Sequence, residues 1–596
     1  MILQSLVRYY EILAEDDDCD IASPGYSIAK VSFAVNLSAR GELLGLIPLK
    51  KSVLRGKKTV EIPKPMKVPE QEKKTVDVKS NFLCENASYI FGIDRKGKPE
   101  RTLKCFREFQ TRHREILQDV DCLEAKALLQ FIEQWNPEQA AQSPVLEPYM
   151  DELLSGAFLI FKLDGGAYLH QVPAIQCAWE TNKNAEKSGA QMQCLVTGKQ
   201  QPIARLHPSI KGVKGAQSMG ASIVSFNGPA YESYGREKSR YEGQGLNAPV
   251  SQYATFAYTT VLNYLLADEK HRIVLGDTTV VYWAESSQPI YQDIFGGCFS
   301  PAPTSIDEKQ VQSKGAEFLV KSVVEKLLRG QNIADFSDVL NPKTDFYILG
   351  LAPNAARLSI RFFLHNTFGS FIENMQQHYK RLELEHAAYE REIISIREML
   401  EETVSENATD KSASPLLAGA VSRAILMGQD YPALLMNAVM LRIRAEHEVS
   451  YRKTATIKAY LLKNLKGYQE ECKVALNEES NNKAYVLGRL FAVLEKVQQD
   501  ANPGINATIR DRYFTSACAT PGAVFPVLLR LSQHHIAKAA YGGVSDKRIE
   551  QLLQKLDVEN DPIPVHLSLN EQGVFILGYY HQKNANYKKK EGTENE

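Results

Sequence analysis

The 596-residue chain contains no run of about 18 apolar residues, so no segment is expected to cross a membrane as a helix. Its opening, MILQSLVRYYEILAEDDDCD, has no basic start, apolar centre or small-residue cleavage site of a secretory signal. None of its nine cysteines forms a Cys-x-x-Cys pair, and an odd, scattered set does not suit a disulfide framework. A cytoplasmic protein is the expectation.

Catalytic signatures are scarce as well. Gly198-Lys199 is followed by Gln200 in place of a magnesium-binding Ser or Thr, and Gln193 stands where a phosphate-binding loop needs glycine. Gly243-Gln-Gly245-Leu-Asn-Ala248 imitates a dinucleotide fingerprint but follows a charged loop, where that fold needs a buried strand. Cys194 and His207 would be half a zinc site, with no second pair to complete it. His534 and His535 are neighbours on a helical stretch, pointing about 100° apart, and cannot chelate together. No Gly-x-Ser-x-Gly elbow occurs. The expectation is a chain without catalytic residues, metal or cofactor. A nucleic-acid-cleaving enzyme with dispersed residues and a purely structural assembly subunit remain the alternatives.

What is present begins with charge. The net formal charge is −1, yet residues 50–114 hold eighteen lysines and arginines, a candidate polyanion footprint. The alternation Ile28, Val31, Phe33, Val35, Leu37 followed by Ala39-Arg40-Gly41 predicts a β-hairpin. Prolines 63, 65 and 69 predict an extended basic ribbon. LKCFREFQTRHREIL and CLEAKALLQFIEQW have helical period, SGAFLIFKLDGGAYLH reads as a hairpin turning at Asp164-Gly165-Gly166, and ASIVSF reads as a short strand. A buried helix, YATFAYTTVLNYLLADEKH, and strands TTVVYWAES and DFYILGLAPNAARLSIRFF follow. From about 371 the pattern is helical: YPALLMNAVMLRIRAEHEVSYRKTATIKAYLLKNLKGY reads as one long helix, and the tail from Tyr579 as polar and frayed. The fold class is therefore α+β: a mixed region over 1–370, then an all-α bundle over 371–596.

The segment 198–251 is glycine-rich and basic, and supplies the strongest functional signal. Glycine lets backbone N–H groups approach phosphates. Lys211, Lys214, Arg236, Lys238 and Arg240 are candidate phosphate contacts; Tyr231, Tyr234 and Tyr241 could stack on bases. Gln217, Asn227, Gln244 and Asn247 are amides able to read base edges. Lys79, Asn81 and Asn86, after the proline-rich ribbon, are candidates of the same kind, Asn86 being equally suited to cap a helix. Arg444, Arg452, Lys453 and Lys463 recur on one side of the predicted long helix and form a candidate path for a single strand.

The blocks GKQQPIARLHPSIKGVKGAQSMGASIVSFNGPAYESYGREKS, NAPVSQYATFAYTTVLNYLL, GDTTVVYWAES, FYILGLAPNAARLSIRFF and RDRYFTSACATPGAVFPVLLRLSQHHIAK, with the opening MILQSLVRYYEIL, resemble the large subunit of the type I-C CRISPR Cascade complex. The resemblance spans essentially the whole chain. It implies a non-catalytic subunit of an antiviral ribonucleoprotein that recognises a protospacer-adjacent motif in duplex DNA, aids unwinding and stabilises the R-loop. Implied partners are crRNA-bound subunits (backbone, 5′-handle-binding and small), duplex target DNA, the displaced strand and a recruited helicase-nuclease. The C-terminal bundle would resemble a Cascade small subunit, also made from an internal start. Such a product would begin at Met427, Met436, Met440 or a non-Met codon, since no methionine follows Met440.

Overall fold

In the computed structural model, which describes all residues except 56–57, 73–77, 96–98, 186–188, 227–243, 269–270, 302–314, 411, 559 and 588–596, the alternation from Ile28 onward makes a twelve-residue strand. Helix α1 (Ile2–Ala14) precedes it; then come β1 (Tyr26–Leu37), β2 (Leu43–Pro48), β3 (Lys50–Arg55), β4 (Lys58–Pro69) and β5 (Glu85–Asn86). Helices α2 (Ala87–Ile90), α3 (Pro99–Leu117), α4 (Leu123–Gln134) and α5 (Met150–Leu154) lead to β6 (Phe158–Leu163) and α6 (Pro173–Ala185). The small ribbon β7 (Gln191–Gln193) and β8 (Gln200–Pro202) and helix α7 (Gln252–Ala267) follow.

The sheet order is β3-β4-β1-β6-β5, with β2 also on β1. The predicted hairpin is β1–β2, turning at Ser38–Gly41. Gly41 is required there: its φ is 75°, and a Cβ would strike the backbone of α4 at Ala127 and Phe131. The proline-rich ribbon is strand β4. It pairs with β3 through Pro63 and with β1 from Lys64 onward, so each half has one neighbour, the situation in which proline's missing donor is tolerated. One sheet face packs Phe33, Val35 and Phe161 against Phe82, Phe109, Phe131 and Trp179. The return arm after Asp164 is reduced to one bridge, Lys162 with Tyr168.

Compactness divides the chain into residues 1–210 with 224–264, and 211–223 with 265–596. The second unit contains a sheet as well as the helices, so this division falls before residue 370, although the all-helical texture does begin there. Strands β9 (Arg272–Leu275) and β10 (Thr278–Ala284), helices α8 (Ile290–Phe299) and α9 (Gly315–Leu328), and the hairpin β11 (Asp345–Asn354) and β12 (Arg357–Thr367) form an antiparallel sheet in the order β12-β11-β10-β9 with helices on one face. Tyr282, Phe346 and Phe362 face the core. ASIVSF is not a strand; among its described residues Ser222 makes an isolated bridge to Arg357.

Among the described residues that follow, the α-helices are α10 (Phe368–Leu382), α11 (Ile396–Glu401), α12 (Pro415–Leu426), α13 (Ala433–Glu446), α14 (Tyr451–Asn464), α15 (Lys483–Ala501), α16 (Ile509–Ala519), α17 (Pro521–Lys538), α18 (Gly542–Leu556) and α19 (Leu569–Tyr587). Two expectations fail. The long helix is broken: His447 adopts φ 53°, and Ser450 caps a new helix by accepting the Lys453 N–H at 3.2 Å. The end of the chain up to Tyr587 is not frayed: Tyr579, Tyr580, His581 and Gln582 are buried where α19 packs along α15. Their polar atoms find partners there, Tyr485 Oη with His581 Nδ1 at 2.8 Å and Tyr579 Oη donating to Glu495 Oε2 at 2.5 Å.

Candidate nucleic-acid interface

KSNFLCENASYIFGID is held largely by burial. Ser80 through Glu85 are at most 2% exposed. Glu85 accepts the backbone N–H groups of Asn81 at 3.0 Å and Asn86 at 2.9 Å. Leu83, at φ 57°, donates its N–H to His113 Nε2 at 3.0 Å, and Phe82 stacks between His113 and Trp179. The guanidinium of Arg112 and the ammonium of Lys183 lie over Trp179, bridged by Glu72. Burial pushes the Glu72 carboxyl up, but Lys183 and Arg112 outweigh it and hold the group below its ordinary range.

This packing decides what the predicted amides do. Asn81 is buried; its side chain accepts the Glu72 N–H at 2.8 Å and donates to Gln71 at 2.7 Å. Asn86 caps α2 by accepting the Ser88 N–H at 3.0 Å. Both are committed to the fold, and only Lys79 of the trio is exposed.

The glycine-rich segment contributes two pieces. In the first unit, Gln244 accepts from Arg205 at 2.8 Å and donates to the Phe226 carbonyl, and Asn247 is half-buried. Asn227, Tyr231, Tyr234, Arg236, Lys238, Arg240 and Tyr241 lie outside the described residues. Cys194 is buried in a turn where its Sγ accepts N–H groups of Val196, Thr197 and Ser251 at 3.2–3.4 Å. Burial raises this thiol, the donors more than offset it, and the result is about 7. His207 bonds to Tyr258 Oη at 2.6 Å. Among the described residues no group of three His, Cys, Asp or Glu side chains is placed to hold a metal.

In the second unit, residues 211–220 form a loop pinned to the sheet. Lys214 N–H donates to Thr279 Oγ1 at 3.0 Å, and its ammonium reaches the Gly276 carbonyl at 3.4 Å. Gly220 N–H closes a turn on the Gln217 carbonyl at 2.8 Å. Gly212, Gly215 and Gly220 have φ of 93°, 77° and 91°. Lys211, Lys214 and Gln217 are exposed on this loop. Sequence reasoning passed over its tip: Met219 is 76% exposed, an apolar side chain on a basic, amide-bearing turn. Its signal was a lone methionine flanked by Ser218 and Gly220, where no helical or strand period would bury it.

The candidate strand path is not a continuous exposed face, although Arg444, on α13, is exposed. Lys453 is 2% exposed and pairs with Glu446 at 2.6 Å and Glu448 at 3.7 Å. Lys463 donates to the Gly428 carbonyl at 2.7 Å, Arg452 to Glu398 at 3.1 Å and Arg444 to Gln572 at 2.6 Å. Helix α14 lies between α10 and α19 and has little solvent face, so its cations serve the protein interior. Further exposed cations occur on α17 and α18, at Arg530, Lys538, Lys547 and Arg548, which form no ion pair among the described residues.

No described helix is long and apolar enough to cross a membrane. No curated protein matches the chain. The family model described as CRISPR-associated protein (Cas_Csd1) matches residues 6–587, nearly the whole chain, in agreement with the sequence blocks and with a mixed sheet region followed by helices. The chain belongs to the Csd1 family of CRISPR-associated proteins, the large subunit of type I-C Cascade.

Proposed function

We propose that this subunit recognises the protospacer-adjacent motif in duplex DNA and starts strand separation, and that the pinned 211–220 loop is the element that meets the duplex. The observation that carries this reading is Met219: a 76% exposed apolar tip on a loop bearing Lys211, Lys214 and Gln217. Lysines at the base of such a loop hold phosphates without regard to sequence, and an amide can sample a base edge. An apolar side chain between base steps unstacks them, at a cost of a few kcal/mol that DNA contacts offset. Lys79 and the basic β3–β4 strands supply further phosphate contacts in the first unit. The displaced strand follows the exposed cations of α17 and α18. Sequence matching is left to guide pairing, a division of labour known for another RNA-guided effector. The protein acts by binding, without bond chemistry of its own, beside crRNA-bound backbone, 5′-handle and small subunits, and presents the R-loop to a helicase-nuclease in cytoplasmic antiviral defence.

The test is binding of the assembled complex, with and without this chain, to duplexes that differ only in the base pairs flanking the target. Preference for one flank that vanishes without the chain is expected. Equal affinity for all flanks, or a preference that survives its removal, overturns the reading. Metal-dependent cutting by the isolated chain would favour a nuclease.

An internal start fits the helical region best at Met427. That residue ends α12 and leaves α13 whole, whereas starts at Met436 or Met440 remove part of α13, including the buried Leu435.

A further inference from the structure

Trp283, Tyr347 and His365 are cross-strand neighbours on β10, β11 and β12. Their rings stack in that order: Trp283 and Tyr347 at 5.4 Å and 19°, Tyr347 and His365 at 4.5 Å and 8°. Phe363 lies beside Tyr347 at 6.0 Å and 15°. Strand alternation puts this row on the face opposite Tyr282, Phe346 and Leu364, which fill the core. Cross-strand aromatic pairs stabilise a sheet, and Trp283, fully buried, serves that purpose. The other end of the row is different. β12 is the last strand of the sheet, and the His365 side chain is 44% exposed there, so the row of parallel rings ends on a face open to solvent.

Acidic groups meet this end of the row. Asp345 Oδ1 stands 3.0 Å from His365 Nε2, with its side chain 48% exposed. The Glu285 carboxylate is beside the Tyr347 phenol, which burial, then Glu285 and Asp345, push up to about 12. A stack of parallel rings continues best with another planar group. Two carboxylates disfavour a nucleotide, whose phosphates they would repel, and favour a cation. The side chain that is planar and cationic at every physiological pH is that of arginine, whose guanidinium stacks on aromatic faces and pairs bidentately with carboxylates.

We propose that the outer face of His365, with Asp345, is a docking point for an arginine side chain of a partner protein. An ammonium would satisfy the charge but not the stacking, so arginine is preferred over lysine. This surface is separate from the nucleic-acid reading, and the test uses the protein alone.

The full-length protein, labelled with ¹³C in its histidine rings, is titrated with N-acetyl-Gly-Arg-Gly-amide and with the lysine counterpart. The His365 signal is assigned by its absence in His365→Gln. The expected result is a saturable shift of that signal with the arginine peptide, at least about threefold weaker with lysine. In Asp345→Asn the arginine response should fall by at least about threefold, with the thermal midpoint unchanged. The comparison of peptides needs no variant, so a variant that fails to fold leaves the test intact. Equal responses to both peptides, no response to either, or a response to a thymidine trinucleotide in place of arginine overturns the proposal.

Discussion

Gly488 of α15 and Gly578 of α19 lie at a crossing so close that a Cβ on Gly488 would overlap the Phe575 carbonyl oxygen, and one on Gly578 the Tyr485 carbonyl oxygen. No side chain intervenes, so neither helix can yield without moving its backbone. Gly578→Ala or Gly488→Ala is expected to destabilise the second unit by about 3 kcal/mol or more, measured by urea unfolding. Gly419→Ala, in α12 with open space around it, is the control: it should gain about 0.5–1 kcal/mol from helix propensity alone.

Lys453 separates the two readings of the basic helix. If its ammonium served DNA, Lys453→Met would weaken binding and spare stability. Burial of the Lys453 ammonium against Glu446 gives the opposite expectation. Lys453→Met should lose about 3 kcal/mol, because Glu446, itself mostly buried, is left without its closest cation. Affinity of the folded complex for DNA at low temperature, checked by gel shift, should be unchanged.

How much of this was legible in the sequence follows from what each residue's letter encodes. Strand β1 was readable from its period-two apolar alternation, and β10, β11 and β12 from short runs rich in apolar, β-branched and aromatic residues. Helices α3, α4 and α7 were readable from their 3.6 period. Asn81 and Lys453 were not, because a polar letter carries no sign of whether water or the protein satisfies it; Gln71 and Glu72, ten and nine residues before Asn81, decide that. The buried tyrosines and histidine of α19 were missed for the same reason, their partners on α15 being nearly a hundred residues away. Lys211, Lys214 and Gln217 are exposed while Val213 between them is buried, a division that follows side-chain polarity and is therefore visible in the letters.

Buried neutral histidines set the response to acid. His113 and His378 are pushed by burial down to about 3, His581 likewise to about 3, and His170 to about 4. His113 is fixed as the neutral tautomer, its Nδ1 donating to the Phe109 carbonyl and its Nε2 accepting from Leu83. Folded values below the unfolded value of about 6.5 mean that the unfolded chain binds these protons first. Stability is therefore full above pH 6.5 and falls as pH drops toward 3, by up to about 1.4 kcal/mol per pH unit for each histidine. Urea midpoints at pH 7.5, 6.0 and 5.0 should decline in that order; a flat profile would contradict the buried neutral state.

Lys211, Lys214 and Met219 make separable contributions if the loop meets duplex DNA. Lys211→Ala with Lys214→Ala should weaken binding to all flanks alike and reduce the log–log salt slope by roughly two units, one for each phosphate no longer neutralised. Met219→Ala should leave that slope unchanged, because it removes no charge. Its effect should appear where stacking is broken: 2-aminopurine at the first target base pair should brighten about tenfold more slowly in the assembled complex, since a lost wedge raises the opening barrier by an amount on the order of one broken stack. Met219→Leu, which keeps the apolar bulk, should restore the rate. A duplex with an unpaired bubble at that position should not need the wedge at all, so Met219→Ala and the unaltered complex should bind it equally well. A defect that persists on the bubble would mean that Met219 supports the fold of the loop rather than the separation of strands.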